Sequence, residues 1–269
     1  MSEPQQQRSP FGAQLREWRQ RRRMSQLDFA LDAEVSQKHL SFIETGRSVP
    51  SRDMVVRLAE VLDVPLRDRN SMLVAAGYAP LYAARDLDDR SLAPARAAID
   101  LLLKGHEPFP ALAIDRHWTM VSANEPARAF LALVSEPALL APPLNVLRLT
   151  LHPRGLAPAI ANLGEWRHHL LDRLRRQIRA TADPVLGALL DELEAYPGET
   201  PSPGNPPRDM GHADVFVPLR LNLPQGQLSL FTATTVFGTP VDVTLAEIAI
   251  ESFYPADEAT RAALVSGAS

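Results

Sequence analysis

The sequence contains no cysteine among its 269 residues. That excludes a disulfide framework, thiolate metal sites, a thiol nucleophile and sulfur-based redox switching. No stretch approaches eighteen consecutive apolar residues, and the start MSEPQQQRSP lacks a charged-then-apolar signal pattern. A membrane span and secretion are therefore not expected, and the expected compartment is the cytoplasm. A nucleophile elbow, a phosphate-binding glycine loop and an HExxH pair are also missing, so no catalytic residues, metal site or enzymatic cofactor are expected. What is present, 45% hydrophobic and 22% charged residues, suits a globular chain long enough for two domains.

Charge is divided unevenly. Residues 1–80 hold 12 Lys+Arg against 10 Asp+Glu, whereas the remainder holds 16 against 22. Five of the eight residues from Arg16 to Arg23 are arginines, a density suited either to phosphate contact or to a solvated helix face. Around this run the punctuation predicts five short helices over residues 11–76. Phe11, Leu15 and Trp18 form one apolar stripe. Ser25 and Ser36 are placed as N-caps, with Val35 positioned to pack on Leu40. Gly46 stops the third helix, and Val55, Leu58, Ala59 and Leu62 mark the fourth. With Leu40 and Ile43 turned inward, Gln37, Lys38, Ser41 and Phe42 share an outward face whose groups match adenine, guanine and thymine edges in a major groove. Phe42 has a second reading, packing on a neighbouring helix.

The segment SQLDFALDAEVSQKHLSFIETGRSVPS resembles a helix-turn-helix, and about residues 9–78, within an expected DNA-binding domain over 9–80, resemble the lambda-repressor-like, or XRE-family, DNA-binding domain. The resemblance implies phosphate contacts for Gln26, Arg47 and Arg52, and a structural ion pair between Arg19 and Glu44. Glu34 stands where the turn usually carries glycine, which predicts a left-handed residue there.

Residues 1–8 read as a disordered tail and 81–90 as a charged linker. From 91 to 269 the pattern turns mixed. A helix over about Leu92 to Lys104 is followed by two short strands joined around Asp115–Arg116. Helices then run from Glu125 to Ala195, the longest from Glu165 to about Ala180. Five prolines between Pro197 and Pro207 enforce a loop, strands are expected over Asp214–Leu221, Gln227–Val236 and Ile248–Tyr254, and a last helix begins near Asp257. The segments PALAIDRHWTMVSAN and VPLRLNLPQGQLSLFTATTVFGTPVDVTLAEIAIESFYP are similar to the MmyB-like ligand-binding domain that follows XRE-type domains in bacterial regulators. This implies a PAS-like α+β fold, an antiparallel sheet with helices around a pocket that holds a fatty-acid-like molecule in relatives.

Trp118, Asn124, His152, Phe216, Phe231, Thr235 and Phe237 are the candidate pocket residues, since an acyl cavity needs apolar walls and few polar anchors. Core packing is the alternative for the aromatics, and a helix cap for Asn124. His168 and His169 are expected on a solvated helix face. The composite expectation is a repressor that binds a palindromic double-stranded DNA operator as a homodimer under control of a small apolar ligand. The alternatives are a second domain acting as a protein-interaction adaptor or as an enzyme.

Overall fold

The computed structural model describes residues 10–197, 216–238 and 242–267. The expected tail, most of the proline-rich loop and the start of the Asp214 strand lie outside the described residues. The chain forms two compact units, with 242–246 grouped with residues up to Asp86 and the rest in the second unit.

The first unit contains α1 (Pro10–Arg21), α2 (Gln26–Asp32), α3 (Gln37–Glu44), α4 (Arg52–Val61) and α5 (Leu66–Ala75). Serines start three of them. Ser25 forms a capping box with Asp28, Ser36 Oγ accepts from the His39 amide at 3.1 Å, and Ser51 Oγ accepts from the Met54 amide at 3.3 Å. Each satisfies a helix N–H that would otherwise have no intrahelical partner. Phe11, Leu15, Phe29, Leu40, Ile43, Leu58 and Leu62 are buried in one core. Glu34 has φ +52° in the α2–α3 turn and Gly46 has φ +76° after α3, so the turn keeps its left-handed residue without glycine.

The second unit has α6 (Ala93–Gly105), β1 (Ala111–Ile114), β2 (Met120–Ala123), α7 (Glu125–Ala129), α8 (Val146–Leu151), α9 (Leu163–Thr181), α10 (Pro184–Glu194), β3 (Leu219–Leu223), β4 (Gly226–Val236), β5 (Ala249–Pro255) and α12 (Glu258–Ser266). The strands form an antiparallel sheet in the order β2-β1-β5-β4-β3. β3 begins at Leu219 and runs to Leu223, so the β3–β4 connection shrinks to Pro224 and Gln225. One sheet face packs on the large core that includes α9 and α10. On the other face, Ile99 and Leu103 of α6 meet Ala111, Ala113, Ile248 and Ile250.

Of the segment expected as a linker, residues 81–86 group with the first unit and 87–90 with the second, and the second unit is not continuous in sequence. Short helix α11 (Val243–Ala246) lies between β4 and β5 in sequence yet belongs to the first unit. There the Val243 amide donates to Ala83 O at 2.8 Å, and Arg85 Nη1 lies 3.1 Å from Asp242 Oδ2. Sequence proximity alone assigns 242–246 to its flanking strands, whereas backbone hydrogen bonding decides otherwise.

Candidate functional site

Two sites emerge, one in each unit. In the first, α3 buries Leu40 and Ile43 and leaves Gln37 and Lys38 exposed, with Ser41 and Phe42 partly buried. Lys38 Nζ lies 5.7 Å and the Arg47 guanidinium carbon 5.9 Å from the Phe42 ring centroid. Both cations are within reach of a cation–π contact, so the ring orders two positive groups beside the helix face. Arg47 is exposed, as is Arg52 at the first position of α4.

Below this face lies a buried polar cluster. Arg19 Nε donates to Glu44 Oε1 at 2.7 Å and its Nη2 to Oε2 at 3.0 Å. Arg19 Nη1 donates to Met24 O at 2.8 Å, and Gln26 Nε2 donates to Glu44 Oε2 at 2.8 Å. The cluster joins α1, the start of α2 and the end of α3, which holds the outward face of α3 in a set orientation. Gln26, expected on phosphate, thus has a structural partner through its amide nitrogen.

The arginine run also serves the fold more than its charge density implies. Arg19 is in the cluster, Arg21 pairs with Glu17, and Arg22 donates to Leu62 O and Asp63 O at 2.7 Å each. Those carbonyls end α4, where cationic side chains satisfy orphan acceptors.

In the second unit a cavity of about 80 Å³ lies between the sheet and helices α7, α8 and α9. A single water needs about 10–15 Å³ of such space, so the cavity has room for several waters or a slender apolar group. Its walls include Leu112, Met120, Phe130, Leu147, Leu170, Leu221 and Phe253. Polar groups are concentrated along α9 and its facing strands. Arg173 Nη1 donates to Glu251 Oε2 at 2.9 Å, Nη2 also pairs with Glu251 Oε1, and Nη2 reaches Thr234 Oγ1 at 3.0 Å. The Arg173 guanidinium carbon is 4.6 Å from the Trp118 ring centroid, and Trp118 Nε1 donates to Gln177 Oε1 at 2.9 Å. Trp166 stacks on His169, with centroids 5.3 Å apart. Burial, followed by the Arg173 and Arg176 charges, holds His169 below the usual histidine range, favouring the neutral ring at neutral pH. The Trp166 indole N–H is buried and has no hydrogen-bond partner among the described residues.

Residues 10–72 match a helix-turn-helix domain. Residues 95–266 match the MmyB-like transcription regulator ligand binding domain, over more than half of the chain. The chain belongs to the MmyB-like family. No curated protein matches this MmyB-like chain. A solved structure described as an RNA-binding light-oxygen-voltage receptor is 12% identical with a TM-score of 0.25, covering 97% of this chain and 64% of that one. The MmyB-like chain therefore spans less than two thirds of that protein.

Of the candidate pocket residues, Trp118 lines the cavity. The others lie elsewhere. Asn124 caps α7 by accepting from the Ala127 amide at 3.1 Å and donates to Leu103 O and Phe109 O at 3.1 and 2.8 Å, which is the cap alternative. His152 follows α8, where its Nδ1 accepts from the Arg154 amide at 3.1 Å. Phe216 meets Phe231, and Phe231 stacks on Tyr254. Thr235 is exposed, while Phe237 packs beside the α6 cluster.

Strand alternation accounts for this distribution. Thr232 of β4 lines the cavity, so Phe231 and Thr235, at odd offsets from it, point to the other face. Cavity residues that were not among the candidates include the polar and aromatic set Trp166, His169, Arg173 and Glu251. Three of these fall on one face of α9 at i, i+3 and i+7, a pattern that points to shared orientation but not to a cavity. His168 is exposed beside Asp172 at 3.2 Å, whereas His169 is partly buried and lines the cavity. The solvated-face expectation for the pair therefore holds only for His168.

Proposed function

We propose that the chain is a DNA-binding transcription regulator, a repressor acting as a homodimer on a palindromic double-stranded operator under control of a small apolar, fatty-acid-like ligand. The observation that carries the DNA reading is the exposed face of α3, where Lys38 and Arg47 flank Phe42. Gln37, Lys38, Ser41 and Phe42 read base edges, while Gln26, Arg47 and Arg52 hold phosphates. Two such faces on one palindrome supply contacts that a single short helix lacks. The second unit is a PAS-like sensor, a reading supported by the antiparallel sheet and its apolar cavity.

Lys38→Ala is expected to relax sequence preference at one base position, at a cost of about 1–3 kcal/mol on the preferred operator. Arg47→Ala is expected to weaken all sequences alike and flatten the salt dependence. Operator selection with sedimentation of the complexes checks both this division and the two-chain stoichiometry. A specificity change confined to Arg47→Ala would reverse the assigned roles, and a single chain on the operator would reject the homodimer.

For the second unit, medium-chain acyl compounds are expected to raise its melting temperature and change operator affinity. A ligand shifts the equilibrium only by binding two conformations unequally, and a tenfold change in operator affinity needs about 1.4 kcal/mol of coupling. The covalent route for this coupling includes the 81–90 segment and the 242–246 segment, since β4 and β5 both carry cavity residues. If acyl compounds affect neither melting nor operator binding, the ligand reading is rejected.

A further inference from the structure

Resting on the reading of the cavity as a ligand site, we propose that it selects an acyl chain bearing an uncharged carbonyl, such as an ester, over the corresponding ionised carboxylate, with the Trp166 indole N–H donating to the carbonyl oxygen. The first support is the unspent donor. Trp166 is 3% exposed and lines the cavity, yet its Nε1 has no partner among the described residues. A buried N–H without an acceptor is costly, and a ligand oxygen would remove that cost.

The second support is the state of the other polar groups. Arg173 is the cavity cation, but its guanidinium is already engaged by Glu251 and Thr234. A ligand carboxylate would enter beside the Glu251 anion and would have to break this pair or remain without a full counter-charge; either is unfavourable in an apolar site. The Thr150 hydroxyl donates to Val146 O at 2.7 Å, and Thr232, an uncharged polar residue, also lines the cavity. Trp118 Nε1 is spent on Gln177. Among the described lining residues the arrangement therefore favours a neutral acceptor, because the one guanidinium in the cavity wall is already paired.

The test uses the full chain after removal of copurified lipid, titrated at pH 8 with methyl decanoate, sodium decanoate and decane, and followed by calorimetry and tryptophan fluorescence. Methyl decanoate should bind at least about tenfold more tightly than either comparison ligand. Equal or tighter binding of decanoate would overturn the proposal while retaining the ligand site. Failure of all three to bind would overturn the site reading as well. Trp166→Phe should bring the ester down to the affinity of decane and leave decane binding unchanged; an equal loss for all ligands would instead mark a purely structural role and overturn the assigned donor. Glu251→Gln leaves the Arg173 charge uncompensated and should improve decanoate relative to the ester. No change in that ratio would overturn the electrostatic basis of the selectivity.

Discussion

Glu44→Ala is expected to destabilise the first unit by about 3–5 kcal/mol and abolish operator binding near physiological temperature. Glu44 accepts from both Arg19 and Gln26, and the Arg19 and Glu44 side chains are 10% and 2% exposed. Removing the carboxylate leaves a guanidinium in the core without its counter-charge, the costly case for a buried pair. Whole-domain stability is commonly about 5–15 kcal/mol, so the loss is a large fraction of it. Thermal melts of the wild type and variant, read with operator binding, provide the check. The double variant Arg19→Met with Glu44→Leu should recover part of the stability, because it removes both charges rather than stranding one. A melting temperature for Glu44→Ala within two degrees of wild type, taken as roughly the assay's resolution, would refute the structural role.

Gly155→Ala is expected to destabilise the second unit by about 3 kcal/mol and lower its affinity for acyl ligands. A Cβ there would sit 2.2 Å from Leu149 O and 3.2 Å from His152 O. These are backbone atoms, and the same Leu149 oxygen accepts from the Leu156 amide at 2.8 Å. The chain cannot relieve this overlap by moving a flexible side-chain tip, so the turn after α8 must shift, taking Leu149 and Leu156 of the cavity wall with it. Gly187→Ala is the control. It lies inside α10 with nothing among the described residues within 4 Å of the added methyl, and alanine's higher helix propensity should stabilise the protein by about 0.4–1 kcal/mol. Melting of the two variants should therefore move in opposite directions, and equal shifts would contradict the packing account.

The sequence determined the first unit in most of its detail. Ser25, Ser36 and Ser51 each occupy a position where a side-chain oxygen caps a helix, and the apolar spacing puts Phe11, Leu15, Leu40, Ile43 and Leu58 into one core. Caps and helical periodicity are local, with both partners a few residues apart, so they can be read without the fold. The Arg16–Arg23 run was less legible because long side chains reach distant partners; Arg22 ends on carbonyls forty residues away, at 2.7 Å.

In the second unit, strand alternation was legible but its direction was not. Period two separates Phe231 and Thr235 from Thr232, yet only the sheet packed against its helices decides which set meets a cavity. Trp166, His169 and Arg173 share a helical face, but their meeting with Glu251 depends on bringing α9 against β5, more than seventy residues later. The placement of 242–246 with the first unit likewise rests on hydrogen bonds to residues 83–85. Local geometry determined the elements and the outward face of α3; long-range packing alone decided the cavity, its neutral ion pair and its unspent indole N–H, because those properties exist only where separated segments exclude water together.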